Sequence, residues 1–341
     1  MPHLPASIDT PEQLEDCLSL PYEETVQALR GLDGDIMVLG ASGKMGPTVA
    51  RMAQRAVRQA GQDRKVYAVS RNPSRELAAA GIHTIACDLL DPDAVKELPR
   101  AENIIYMVGR KFGSKGAEHL TWATNVLAAG YAAAAFPDAR FAAFSTGCVY
   151  PVMHIGSGGA TEDEPPAPIG EYAQSCLGRE RAFDYYSETH GLKVVHLRLN
   201  YSVELRYGVL VDIAQKVWEQ QPINLTTGYA NVIWQGDACN QALQALALAD
   251  SPARVLNLTG PETISIRRVA LEFGKLMDRE PVFVGEENGF GYLSNAMRAN
   301  RLFGNPRVPV GQVILWIAHW FQNQGVLLGK PTQFETQDGQ Y

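Results

Sequence analysis

No stretch of this 341-residue chain approaches the ~20 consecutive apolar residues that a membrane-spanning helix needs. Its first residues carry acids and prolines rather than a basic stretch before an apolar run, so a soluble, unexported, cytoplasmic protein is expected. A basic block is missing too. Lys and Arg number 30 against 37 Asp and Glu, a formal charge of -7, which argues against a nucleic-acid backbone as partner and favours small molecules. The five cysteines (Cys17, Cys87, Cys148, Cys176, Cys239) lie far apart with no Cys-x-x-Cys pair, so neither a disulfide framework nor a structural zinc site is suggested. The seven histidines include no His-x-x-x-His pair, and no metal site is expected. What the chain does have is 46% hydrophobic and 20% charged residues, enough for a full core in one large or two modest domains.

Residues 1–34 read as an appended arm of two short helices, because Thr10-Pro11-Glu12 and Pro21-Tyr22-Glu23 carry helix-start chemistry and Gly31 offers a stop. From Asp35 the pattern becomes DIMVL, KVYAVS, IHTIAC, NIIYMV, RFAAFS and KVVHLRL, separated by helical stretches at 47–60, 74–80, 92–98, 119–136 and 172–190. Such alternation predicts parallel strands joined by crossover helices. The near-continuous apolar runs place helices on both faces of the sheet, an α/β doubly wound Rossmann fold over 35–200. Helical stretches at 209–219, 237–248, 267–277 and 310–322 then mix with NVIW, VLNL and VFV. Residues 201–341 are thus read mainly as a smaller α/β substrate lobe, with later strands of the main sheet drawn from about 228–260.

The first strand runs into Gly40-Ala41-Ser42-Gly43-Lys44-Met45-Gly46, with Pro47 and an Ala/Arg-rich helical stretch behind it. Glycines at 40, 43 and 46 allow a tight turn, close approach of a pyrophosphate to backbone N–H groups, and close helix–strand contact, with the helix N-terminus favouring negative charge. A dinucleotide coenzyme is therefore expected on this loop. The second strand ends at Ser70-Arg71, where an NAD-selective site usually places an acid for the ribose 2′-hydroxyl. Arg71 instead suits a 2′-phosphate, so NADP is favoured, with NAD the alternative. Val108, Gly109 and Lys111, after the fourth strand, leave the same carboxyl edge and join the expected coenzyme contacts.

These residues resemble the extended short-chain dehydrogenase/reductase superfamily, in its NAD(P)-dependent sugar epimerase/dehydratase branch, from Asp35 to about residue 280. Gly40-x-x-Gly43-x-x-Gly46 is similar to its fingerprint, Asn125 falls at the asparagine of its fourth long helix, and Ser145-Thr146-Gly147-Cys148-Val149-Tyr150 looks like its Ser-Ser/Thr-x-x-Val-Tyr segment. Thr161-Glu162-Asp163-Glu164-Pro165 resembles the acidic loop before its Tyr-x-x-x-Lys. That last motif is Tyr172-Ala173-Gln174-Ser175-Cys176 here, with cysteine in place of lysine. The resemblance implies that Asp88-Leu89 meet the adenine edge, that Tyr172 is the acid/base on a substrate oxygen, and that Thr146 hydrogen-bonds the same oxygen. It also implies homodimerisation through the helices 119–136 and 172–190.

Losing the lysine matters because an unperturbed phenol titrates near pH 10, and bringing it to about 7 takes roughly 4 kcal/mol of preferential phenolate stabilisation. A thiol at 176 supplies none, and a thiolate would act in the opposite direction. Arg179 lies on the same helix face as Tyr172 and Cys176, about 10 Å along the axis from Tyr172. It is one candidate replacement, and Lys111 and Lys115 of the GRKFGSKG loop are the others.

Asn200, Glu204, Arg206 and Trp234, with Cys148, Thr146 and Arg198, are the substrate candidates, since the segment after the sixth strand leaves the ligand edge of the sheet. The 4,6-dehydratase relatives carry Asp-Glu after the threonine, where this chain has Gly147-Cys148. The expected activity is oxidoreduction or epimerisation of a carbohydrate-like substrate: a sugar, sugar acid or nucleotide sugar. A catalytically impaired NADP-binding sensor or scaffold is the alternative that Cys176 motivates.

Overall fold

The computed structural model describes residues 4–113, 115–336, 338 and 339. The arm forms helices α1 (Pro11–Leu18) and α2 (Glu23–Arg30). The Thr10 side chain accepts from the Gln13 N–H with Pro11 in the first turn, and Glu23 and Glu24 face the positive end of α2. Alternation follows through β1 (Ile36–Leu39), α3 (Gly46–Gln59), β2 (Val66–Ser70), α4 (Arg75–Ala79), β3 (His83–Ala86), α5 (Pro92–Lys96) and β4 (Asn103–Tyr106). Next come α6 (Glu118–Trp122), α7 (Ala128–Ala135), β5 (Arg140–Thr146), a short β6 (Met153–His154), the long α8 (Gly170–His190) and β7 (Lys193–Leu199). All six expected strands form.

The remaining elements are β8 (Ser202–Val203), α9 (Val209–Trp218), β9 (Pro222–Asn224), β10 (Tyr229–Asn231), β11 (Ile233–Trp234), α10 (Gln235–Ala245), β12 (Arg254–Leu258), β13 (Thr263–Ser265), α11 (Ile266–Met277), β14 (Val282–Val284), β15 (Phe290–Gly291), α12 (Met297–Phe303) and α13 (Val310–Gln322). The main sheet has the order β12-β7-β5-β4-β1-β2-β3, with every pairing parallel. Chain direction across the sheet reverses between β1 and β4, which opens a crevice at the carboxyl edge. Val38, Ala68 and Ala142 pack on α3 and α10 on one face, while Met37, Leu39 and Phe141 pack on Ala129, Ala132 and Phe183 on the other. This is the doubly wound Rossmann arrangement.

Two expectations need adjusting. Of the later strands read from about 228–260, only β12 enters the main sheet; β10 pairs with β13 and β11 with β8 in small two-stranded sheets. They are too short to cross the sheet and instead cover the lobe core. The 119–136 stretch is interrupted by a π turn over Ala123–Leu127, with buried Asn125 inside it. In the lobe, Trp234, Trp316, Trp320 and Phe273 pack with Ile8, Leu14 and Leu18 of the arm, whereas Val26 and Leu29 of α2 join the sheet core. The arm thereby ties the two cores together. No helix among the described residues is long and apolar enough to cross a membrane.

Candidate active site

At the end of β1, Gly40 has φ +92°, and a Cβ on it would lie 2.9 Å from the Met107 carbonyl carbon. A Cβ on Gly46 would come within 2.6 Å of the Ala41 carbonyl oxygen, so α3 sits as close to the strand as the three-glycine spacing anticipates. Inside the loop, the Gly43 N–H donates to Gly40 and the Gly46 N–H to Gly43. The N–H groups of Ser42, Lys44 and Met45 take no acceptor among the described residues. Uncommitted donors at a helix start fit a pyrophosphate. The Lys44 side chain turns the other way: its Nζ donates to the Ser202 carbonyl at 2.9 Å and lies 4.6 Å from the Tyr207 ring centre. Burial pushes its pKa down to about 8 against the pull of Glu204.

At the far end of the crevice, Arg71 is exposed directly after β2, and Ser70 Oγ donates to the Asn72 carbonyl at 3.0 Å. Asp88 accepts from the Leu90 N–H at 3.1 Å, so its carboxylate shapes the turn, and Leu89 is buried. Val108 and Gly109 follow β4; a Cβ on Gly109 would meet the Arg179 guanidinium at 2.8 Å.

The reacting end is a cavity of about 170 Å³ at the carboxyl edge, lined among others by Thr146, Cys148, Tyr172, Asn200 and Lys111. Thr146 ends β5 and Tyr172 lies in the first turn of α8, and the threonine hydroxyl hydrogen-bonds the phenol. Lys111 Nζ lies 5.8 Å from the Tyr172 ring centre and donates to the Thr332 carbonyl at 2.9 Å. Burial lowers its pKa, opposed by the thiols of Cys148 and Cys176 and by Asp212. Lys115, its rival in the sequence, is exposed on the loop and does not line the cavity. Ser114, also in that loop, lies outside the described residues.

Under the cavity floor, Arg179 is buried and does not reach up to the Tyr172 hydroxyl. It donates to the Phe144 carbonyl at 2.7 Å, to the Asn125 carbonyl at 3.3 Å and to Asn125 Oδ1 at 3.0 Å, with Cys176 Sγ 3.8 Å away. Asn125 also takes the Arg110 N–H at 2.7 Å and donates to Ser175 Oγ at 2.8 Å. Burial, then the two thiols, raise the Tyr172 pKa well above the ordinary phenol value; Arg179 and the Thr146 hydrogen bond oppose them. The free protein therefore holds Tyr172 as a neutral phenol, poised to donate a proton.

The other substrate candidates divide. Asn200 lines the cavity and donates to the Tyr292 carbonyl at 2.8 Å. Glu204 accepts from the Arg206 N–H and Nε at 3.1 Å, and Arg206 pairs with Glu15 of the arm at 2.8 Å while lining a second groove on the lobe. Trp234 does not face the cavity: it packs against Trp316 at 5.4 Å in the lobe core, as a large apolar side chain in a short strand should. Arg198 is likewise internal, paired with Glu180 at 2.7 Å.

The model of the NAD dependent epimerase/dehydratase family matches residues 36–203. Over that segment, just under half of the chain, the sequence is similar to this family. No curated protein matches it. Solved structures are similar in fold: the UDP-glucose 4-epimerase of Thermus thermophilus in complex with NAD (19% identity, 84% of this chain, 99% of that one, TM-score 0.70) and the dTDP-glucose 4,6-dehydratase DesIV of Streptomyces venezuelae with NAD and TYD bound (17%, 84%, 97%, 0.71). MoeE5, in complex with UDP-glucose and NAD, is another (20%, 85%, 99%, 0.68). The glycine clearances and loop donors described above fit the dinucleotide that the family's name implies.

Sequence reasoning missed three contributors. Ser175 links Asn125 to α8; Tyr201, at φ 45°, walls the cavity; Thr332 closes it from the carboxyl-terminal segment. Only Ser175, a helical polar residue beside two named candidates, carried a detectable signal.

Proposed function

We propose that this chain is an NAD(P)-dependent oxidoreductase or epimerase that transfers hydride at a carbinol carbon of a carbohydrate-like substrate, with Tyr172 as acid/base. The observation that carries this is the Thr146–Tyr172 hydrogen bond inside a cavity reached from the glycine loop across one sheet edge. Gly40, Ser42, Gly43, Lys44, Met45 and Gly46 would hold the pyrophosphate through backbone N–H groups, Ser70, Arg71, Asp88 and Leu89 the adenosine end, and Val108, Gly109 and Lys111 the nicotinamide end. When bound, the nicotinamide supplies a two-electron hydride acceptor or donor and, oxidised, a positive charge. As the neutral phenol of the free protein, Tyr172 would give its proton to a carbonyl oxygen as hydride arrives at that carbon; in the oxidative direction it must first lose that proton, and as the phenolate it takes the hydroxyl proton while the carbinol C–H hydride leaves. Thr146 orients that oxygen; Asn125 and Arg179 fix Tyr172 from below. The fold neighbours' complexes with UDP-glucose and with TYD support a nucleotide sugar as the substrate class, with Asn200 and Cys148 at its reacting end. Arg71 at the β2 end favours NADP, although the neighbours' complexes hold NAD.

The test is Tyr172→Phe, which should cut turnover of nucleotide-sugar substrates by about tenfold or more while coenzyme binding persists. Unchanged turnover would remove Tyr172 from the mechanism.

A second reading, a dinucleotide-binding sensor or scaffold without catalysis, is favoured by one observation: burial and two thiols hold the phenol proton in place where the family motif has a lysine. Reduction of bound nicotinamide by any carbohydrate in a screen would reject it.

A further inference from the structure

The cavity beneath Tyr172 is too small for the ligand that the proposed function assigns to it. Its ~170 Å³ falls short of the ~300–1,000 Å³ usual for ligand pockets. Beside it, on the lobe, runs a groove of about 740 Å³ lined by Arg206, Lys216 and Lys330 among others. The wall between the two is one irregular segment, residues 328–336: Thr332 lines the cavity while its neighbours Pro331 and Gln333 line the groove, and Tyr207 borders both.

This strap is held by polar contacts that a ligand could supply instead. Its Thr332 carbonyl occupies the Lys111 ammonium at 2.9 Å, and its Glu335 carboxylate occupies Lys216 at 2.6 Å. Asp212 fixes Thr332 through the backbone N–H at 2.8 Å and the hydroxyl at 2.5 Å, Leu328 N–H bonds the Arg206 carbonyl at 3.1 Å, and Phe334 anchors in the lobe core. Lys111 faces the reacting end and Lys216 the groove, so the strap covers two cations that lie on either side of it.

We infer that residues 328–336 are an autoinhibitory strap, whose Thr332 carbonyl and Glu335 carboxylate stand in for the oxygens of an anionic substrate, and that substrate binding displaces it to join cavity and groove. Once displaced, Lys111 and Lys216 become ligand contacts and the joined space falls within the range of a ligand pocket. The inference deepens the proposed function and rests on its placement of the reacting end at Tyr172.

The experiment has two arms. In the first, without any ligand, lysines are pulse-acylated and read by mass spectrometry in the wild type and in Glu335→Gln, with thermal melting to check that both are folded. Losing one partly exposed ion pair should raise Lys216 labelling and amide exchange over 328–336 by about two- to fivefold. Unchanged labelling and exchange overturn the strap. In the second, amide exchange over 328–336 is followed with saturating UDP-glucose and with glucose, and binding is measured by calorimetry. Faster exchange with UDP-glucose and no change with uncharged glucose support displacement; bound UDP-glucose with unchanged or slower exchange overturns it. Absence of UDP-glucose binding counts against the nucleotide-sugar reading, and the strap is then decided by the Glu335→Gln arm.

Discussion

Asn125 Oδ1 accepts a hydrogen bond from the Arg179 guanidinium at 3.0 Å, and the Asn125 carbonyl accepts another at 3.3 Å. Both acceptors belong to a residue inside the π turn Ala123–Leu127. One side chain from α8 therefore locks α8 to the neighbouring helical run and, through the Phe144 carbonyl at 2.7 Å, to β5. Tyr172 and Thr146 sit on the two elements so joined. Burial opposes the Arg179 charge, but Cys176, Tyr106, Tyr172 and Glu180 outweigh it and raise its pKa, so the guanidinium stays charged.

Arg179→Met should consequently cost roughly 2–5 kcal/mol, from buried acceptors left without donors, read as a lower urea midpoint. Measured in the carbonyl-reducing direction, where the role proposed for Tyr172 is proton donor, Arg179→Met should also move the alkaline limb of turnover to higher pH, because Arg179 lowers the phenol pKa in the intact site. Arg179→Lys keeps the charge, so the limb should stay near its wild-type position. Equal shifts in both variants would show that Arg179 acts through packing alone.

Acid stability tests the layer beneath. Burial raises the Glu180 pKa, but the Arg198 hydrogen bonds, His196 and Ser145 outweigh it and leave it below the ordinary glutamate value. A depressed folded-state pKa contributes stability above the unfolded value of about 4.3, and that contribution is lost as pH falls through the folded value. Melting temperature should fall below about pH 4.3 in the wild type. Glu180→Gln, which leaves Arg198 buried without its partner, should be destabilised by roughly 3–5 kcal/mol near neutrality and lose less in the acid window. Parallel acid profiles for the two proteins would remove Glu180 as a source.

The sheet was legible because most of its strands are continuous apolar runs, and the glycine loop after β1 marks the carboxyl edge. Tyr172 and Thr146 were legible for the same reason: each lies where a strand or helix meets it. What escaped depends on distant partners. The Lys111–Thr332 bond spans 221 residues, and the strap that makes it has neither helical nor strand periodicity. Trp234 follows the ligand edge in sequence, which points to a substrate contact; whether an aromatic faces a cavity or a core is set by the element that covers it, here α13 with Trp316. The Arg179 geometry escaped because the π turn that holds Asn125 leaves no mark in an Ala-rich helical pattern.

Coenzyme choice turns on Arg71. It is exposed directly after β2, where a coenzyme 2′-phosphate would meet a planar cation. In fluorescence titrations NADPH should bind about tenfold or more tightly than NADH, and Arg71→Ala should erase the difference by weakening NADPH alone. Tighter NADH binding in the wild type would overturn the preference.

Cys176→Lys asks whether restoring the family residue restores its function. Cys176 is 1% exposed, packed with Val149, Tyr150 and Ala160, and its sulfur lies 3.8 Å from the Arg179 guanidinium. A lysine there enters a filled site already faced by Arg179 from below, with Lys111 in the same electrostatic neighbourhood. A second buried cation beside the first is repelled and desolvated at once, and the Glu180 carboxylate in its neighbourhood is already engaged by Arg198 and Ser145. The variant should lose on the order of 3 kcal/mol or more of stability and gain no turnover, because burial beside Arg179 drives the new amine toward its neutral form, which supplies no charge to the phenol. Melting and steady-state kinetics on the same preparation decide it. Raised turnover at undiminished stability would mean that Arg179 is a structural strut, and that the site was waiting for its lysine.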